Sequence, residues 1–265
     1  MRSTHTSTSL AFDDTGGAGR LLVMLPGAGD LRSEYRFLVG PLAAAGHRVV
    51  SVDLPGHGDS PTAGEYTVAS TASAIGDLIE SLGAGPAVIV ACSFAPAAAV
   101  WLATERPELV DGVVALSPHF HADPSLKGRV QGLAIRMMLR GSWAAGIWSK
   151  LYAGWYKAYP PADLDVELNR MRIMLADAGR RKAVRETLTA GREGVADRMK
   201  NLAVPSLAVF GALDDHFDDP VAEAERIAGE LGGDRLIVEG AGHYPHVERP
   251  EPVLDALAGF FDGLA

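Results

Sequence analysis

Val88-Ile89-Val90-Ala91-Cys92-Ser93-Phe94-Ala95-Pro96-Ala97-Ala98 decides the reading of this chain. A short β-branched run drives into a serine, and a run of small residues leaves it at once. A strand that turns sharply into a helix exposes the hydroxyl at the bend and sets the helix N-terminus behind it. The backbone N–H groups there are unpaired and carry partial positive charge, so they can stabilise an oxyanion. A serine held this way needs a histidine base and an acid to orient that histidine.

The 265 residues suit one large α/β domain with an inserted cap. At 48% hydrophobic residues the chain can bury a sizeable core. A formal net charge of −9 disfavours nucleic acid as a partner, because phosphate neutralisation needs clustered Lys and Arg. Cys92 is the only cysteine, so no internal disulfide can form. The stretch Met1-Arg2-Ser3-Thr4-His5-Thr6-Ser7-Thr8 lacks the apolar centre of a signal peptide. No apolar run reaches the roughly 18–20 residues of a membrane span, and a cytoplasmic protein is expected. The charge is uneven: residues 119–204 carry a balance of +7 and the remainder −16. That asymmetry predicts a segment of separate character set into an acidic body.

Short apolar segments alternate with helical ones. Leu21–Leu25, His47–Asp53, Val88–Cys92 and Gly112–Ser117 read as strands, and Ser33–Ala45, Thr67–Leu82 and Phe94–Glu105 as helices between them. The alternation resumes with strand Ser206–Phe210, helix Pro220–Leu231, strand Arg235–Glu239 and helix Pro250–Leu264. Such an order predicts an α/β fold with a mostly parallel, doubly wound sheet buried on both faces. Residues 118–203 break the rhythm with helical patterns such as Val130–Arg140 and Leu164–Ala178 and no convincing strand. They are expected to form a helical cap, with residues 1–117 and 204–265 as the core. A cap there would cover the crevice at the carboxyl ends of the strands.

Three candidate catalytic residues fall just past strand ends: Ser93, Asp214 in Phe210-Gly211-Ala212-Leu213-Asp214, and His243 in Gly240-Ala241-Gly242-His243. With Leu25-Pro26-Gly27-Ala28-Gly29, Asp53-Leu54-Pro55-Gly56-His57-Gly58-Asp59-Ser60 and the histidine loop running on to Pro250, the chain resembles the α/β-hydrolase family over essentially everything outside the cap. The resemblance implies that Ser93 attacks a carbonyl carbon, that His243 takes and returns its proton, and that Asp214 holds the imidazole. The backbone N–H groups of Ala28 and Phe94 would form the oxyanion hole, where one donor is typically worth about 2.7–4 kcal/mol of barrier. The family's Gly-x-Ser-x-Gly is here Ala91-Cys92-Ser93-Phe94-Ala95, and Pro26 replaces a histidine; one methyl at each flank should leave the turn intact.

Each site residue has a plainer rival. Cys92 should point away from the hydroxyl and pack in the interior. Asp215 could stand in for Asp214, although the register favours Asp214, and Asp218 and Asp219 read as solvated. His246 reads as a structural residue of the histidine loop, and Asp53, His57 and Asp59 as a hydrogen-bonded loop. His119 and His121 have an HxH spacing, but no carboxylate or cysteine pattern completes a site, so no metal is expected. His119 sits where it could touch substrate. Trp148, Tyr152 and Tyr156 share a helix face. That face packs the cap on the body or, through Trp148 and Tyr152, lines a pocket for an apolar or aromatic acyl group.

The expected activity is a cofactor-free serine hydrolysis of a small-to-medium ester, lactone or thioester. No Gly-rich nucleotide fingerprint is present. The alternatives are a carbon–carbon bond hydrolase of a diketone and a non-catalytic ligand-binding relative. Substrate identity and oligomeric state stay open.

Overall fold

The computed structural model describes residues 2–4, 10–62, 64–121 and 125–264. Residues 122–124, at the start of the expected cap, and most of the N-terminal stretch discussed above lie outside that set. In chain order the elements are β1 (Arg2–Thr4), β2 (Phe12–Asp14), β3 (Leu21–Leu25), α1 (Arg36–Ala44), β4 (Arg48–Val52), α2 (Val68–Leu82), β5 (Ala87–Cys92), α3 (Ala95–Glu105) and β6 (Val110–Leu116). Then come α4 (Leu126–Met138), α5 (Ala144–Trp155), α6 (Leu164–Ala176), α7 (Ala178–Leu188) and α8 (Val195–Lys200). The chain closes with β7 (Ser206–Gly211), α9 (Pro220–Leu231), β8 (Asp234–Val238), α10 (Pro245–Glu248) and α11 (Pro250–Asp262).

Among the described residues the sheet has eight strands in the order β1-β2-β4-β3-β5-β6-β7-β8. It runs parallel from β4 to β8, and β1 and β2 add an antiparallel edge. Neither of these three-residue strands was legible in the sequence, being too short to show a period. Alternate residues of the central strands serve opposite faces. Leu21, Val23, Leu25, Ile89 and Ala91 join one core, and Leu22, Met24, Val88, Val90 and Cys92 the other. Each large side chain so buried contributes about 1.5–3 kcal/mol.

Local chemistry sets the helix ends. Thr67 and Ser70 cap α2 reciprocally, and Gly83 ends it in the left-handed region at φ 58°. Asp219 accepts from the Val221 and Ala222 N–H groups at the start of α9, where Pro220 has no N–H to waste. Two expected helices differ in detail. The Ser33–Ala45 pattern begins as a 3-10 turn over Arg32–Tyr35 before α1. The Leu164–Ala178 pattern breaks at Asp177, whose extended backbone lets its carboxylate cap α7 through Arg180 N. All of α4 to α8 lies between β6 and β7, an insertion that contributes no strand among the described residues.

Candidate active site

β5 ends at Cys92, and Ser93 takes a left-handed backbone at φ 58° before α3 begins at Ala95. A non-glycine residue there costs about 1–3 kcal/mol and persists only where its surroundings over-determine it. The neighbouring strand supplies that: Ser93 N donates to Leu116 O at 2.9 Å, and His119 N donates to Ser93 O at 2.8 Å. Ala91 and Ala95 are fully buried beside the turn. The elbow forms with alanine on both sides.

The loop after β3 closes on this elbow. A Cβ added to Gly27 would lie 3.3 Å from the Ser93 Cβ, so glycine permits the approach. Glu34 Oε2 accepts from Gly27 N at 2.9 Å, and Asp30 N donates to Gly27 O at 3.1 Å. From the insertion, Trp148 Nε1 donates to Gly29 O at 3.1 Å and the Tyr152 hydroxyl to Asp30 Oδ2 at 2.6 Å. Among the described residues, the N–H groups of Ala28 and Phe94 donate to no protein acceptor.

Asp214 and His243 arrive on the loops that follow β7 and β8. Their Oδ2 and Nδ1 atoms are 2.8 Å apart, and both side chains are buried. The other carboxylate oxygen is taken by a histidine the sequence reading passed over: Asp214 Oδ1 receives His216 N at 3.1 Å and His216 Nδ1 at 2.9 Å. Burial opposes ionisation of Asp214. The attraction to the His243 ring and the hydrogen bonds from His216 and His243 outweigh it and hold the carboxyl well below its usual range. An ionised carboxylate only accepts, so both rings present Nδ1–H to it and keep Nε2 for the site.

The His216 and His243 rings lie 4.0 Å apart, and His119 stands 5.5 Å from each. Burial, then the neighbouring His243 and His216, push His119 well below its ordinary pKa. Ring nitrogens of His119, His216 and His243 all fall within 4.8 Å of one another and could hold a cation. His121, by contrast, turns away to pair with Glu230 at 2.9 Å, so the HxH spacing does not bring its two members together. Trp155, at the end of α5, covers this cluster: its O accepts from His243 N at 3.2 Å, and its ring is 4.9 Å from that of His216.

Trp148 and Tyr152 are buried between the insertion and the sheet, bonded to the Gly29–Asp30 backbone and carboxylate. Cys92 is fully buried, and burial, with the Glu34 carboxyl beside it, pushes its thiol pKa far up, so it makes a poor nucleophile. Asp215 is exposed and pairs with Lys157 at 2.7 Å. His246 is buried against Tyr35, and burial takes its pKa down to about 3. Its Nε2 lies 2.9 Å from Glu34 Oε1, out of line for a hydrogen bond. Asp53 accepts from Arg32 N at 2.8 Å and Asp59 N at 2.9 Å, which fixes the loop as expected.

Beneath the Gly27 loop, the carboxyls of Asp30 and Glu34 lie close together and wholly buried. Burial, reinforced by Glu34, pushes Asp30 well up. Burial pushes Glu34 to about 7, against the hydrogen bond from Gly27 N. Burial and the repulsion between two neighbouring carboxylates therefore favour protonation in this pair.

The alpha/beta hydrolase family model matches residues 22–256. The chain belongs to that family. It is 29% identical to a pimeloyl-[acyl-carrier protein] methyl ester esterase of Neisseria meningitidis over 224 residues, 82% of this chain and 84% of that protein. It is 34% identical to the lipase LipV of Mycobacterium tuberculosis over 130 residues, 48% of each chain. A thermophilic esterase from Thermogutta terrifontis superposes with a TM-score of 0.80 at 22% identity, covering 96% of this chain and 93% of that one, which shows the shared fold.

Proposed function

We propose that this chain is a serine hydrolase that cleaves a small-to-medium ester, lactone or thioester through an acyl-enzyme on Ser93. The observation that carries the reading is the left-handed Ser93 at an elbow abutting Gly27, on the sheet edge that also bears the buried Asp214–His243 pair. The esterase and lipase names of the two curated relatives support the reaction class.

In the reaction, Ser93 Oγ attacks the carbonyl carbon while His243 Nε2 accepts its proton. The imidazolium stays bonded to Asp214, and the oxyanion takes the Ala28 and Phe94 N–H groups. Collapse breaks the bond to the leaving group, which receives the proton from His243. Water then enters, loses a proton to His243 and releases the acid as Ser93 recovers its hydrogen. α4 to α8 act as the cap, seated on the Gly27–Asp30 loop by Trp148 and Tyr152.

Labelling with a fluorophosphonate followed by peptide mass mapping tests this. Adduct on Ser93, absent from Ser93→Ala and strongly slowed in His243→Ala, is the expected result. No adduct on the folded wild-type chain with a small probe would refute the acyl-enzyme.

A further inference from the structure

The insertion shows an apolar face that none of the described residues covers. On α4, Leu126, Val130, Leu133 and Met137 are 76%, 58%, 61% and 54% exposed. Their spacing keeps them within a narrow arc, since each step of three or four residues returns nearly to the same side. The helix is not adrift: Ile135, Met138 and Leu139, on its other side, pack on the core. Trp143, in the turn to α5, is 59% exposed, and Ile147 and Leu151 on α5 are exposed one turn apart. Outside the insertion, the exposed large apolar side chains among the described residues are only Leu213 and Val221.

Charge identifies the partner. From Ser125 to Ala162 the sequence contains no Asp or Glu, and its cations are Lys127, Arg129, Arg136, Arg140, Lys150 and Lys157. Arg129 and Arg136 are exposed and flank the apolar stripe on the same side of the helix. A second copy fits badly: insertion against insertion sets cations against cations, and among the described residues the acidic body offers no matching apolar patch. An apolar stripe edged by arginines, with a tryptophan at its end, matches the headgroup region of an anionic bilayer.

We propose that α4 and the adjoining turn dock this protein on the surface of an anionic phospholipid membrane, without spanning it. The stripe enters the acyl boundary, and Arg129 and Arg136 meet the phosphates. On the ester-hydrolase reading proposed above, such docking would supply esters dissolved in that bilayer.

Co-sedimentation of the full chain with vesicles tests binding without relying on turnover. Phosphatidylcholine vesicles containing phosphatidylglycerol should carry the protein down, with a blue shift of Trp143 fluorescence and release by salt. Phosphatidylcholine alone should carry much less. The double variant Val130→Glu/Leu133→Glu, and separately Arg129→Glu/Arg136→Glu, should each lower the bound fraction about tenfold or more. All four positions are exposed, and unchanged circular dichroism would confirm folding. Failure to bind anionic vesicles, equal binding to neutral ones, or undiminished binding by folded variants overturns the proposal. So does a dimer in sedimentation velocity that Leu133→Glu dissociates, because the stripe then belongs to a second copy. Capture by a purified acidic protein, with no vesicle binding, overturns it as well.

Discussion

Replacing Glu34 by glutamine should change how stability depends on pH, and by an amount the structure sets. Glu34 is wholly buried beside Asp30 and bonded to Gly27 N, and burial raises its pKa from 4.5 to about 7. A carboxyl with a raised native pKa binds protons more tightly folded than unfolded. Its contribution is therefore complete below pH 4.5 and is lost as pH rises to about 7. At 1.36 kcal/mol per pKa unit, the loss is about 3 kcal/mol. His246, with its pKa depressed to about 3, contributes the opposite slope between there and 6.5. Only the difference between wild type and Glu34→Gln isolates the carboxyl. Glutamine keeps an oxygen for Gly27 N and cannot ionise. It also removes the charge facing Asp30, which moves the difference in the same direction. Urea unfolding of both proteins at about pH 4 and about pH 8 should show the variant gaining about 3 kcal/mol on the wild type across that interval. Parallel pH profiles would mean that Glu34 takes up no proton on folding, and the account of the loop beneath Ser93 would fail.

Removing the second imidazole on the acid, His216→Ala, forfeits a hydrogen bond to a charged group worth about 1.5–3 kcal/mol, and kcat should fall about ten- to a hundredfold. Unchanged kcat in a steady-state ester assay would leave His216 without a part in orienting Asp214. Gly29→Ala forces a Cβ to within 2.3 Å of Trp148 Cζ2 at a backbone φ of +86°, so the melting temperature should drop by an amount matching about 1–3 kcal/mol. A wild-type melting curve would show that the insertion does not seat there. Zinc ions should inhibit ester hydrolysis by taking ring nitrogens of His119, His216 and His243, with recovery on chelation and weaker inhibition of His119→Ala. Equal inhibition of both proteins would place the metal elsewhere.

Much of the fold was legible because it is written locally. A buried parallel strand needs only a short apolar run, and Leu21–Leu25 and the start of α9 at Pro220 were read to the residue. The flanking small residues foretold a sharp turn at Ser93, and the backbone there is left-handed. The glycine loops placed Asp214 and His243 on one edge, and the structure joins them at 2.8 Å. β1 and β2 left no trace, since three residues carry no period and only the pairing of β2 with β4, and of β1 with β2, makes them strands.

The sequence by itself determined the order of the parallel strands and the helices that connect them, the elbow and the loops that bear Asp214 and His243, because propensity, hydrophobic period and turn chemistry act between residues close in the chain. Tertiary structure alone decided that Trp148 and Tyr152 anchor a loop more than a hundred residues away. It also decided that His216 shares the Asp214 carboxylate, and that Asp30 and Glu34 meet away from water. Those outcomes depend on burial and on contacts between distant segments. Burial and distant contact exist only once the chain has closed on itself.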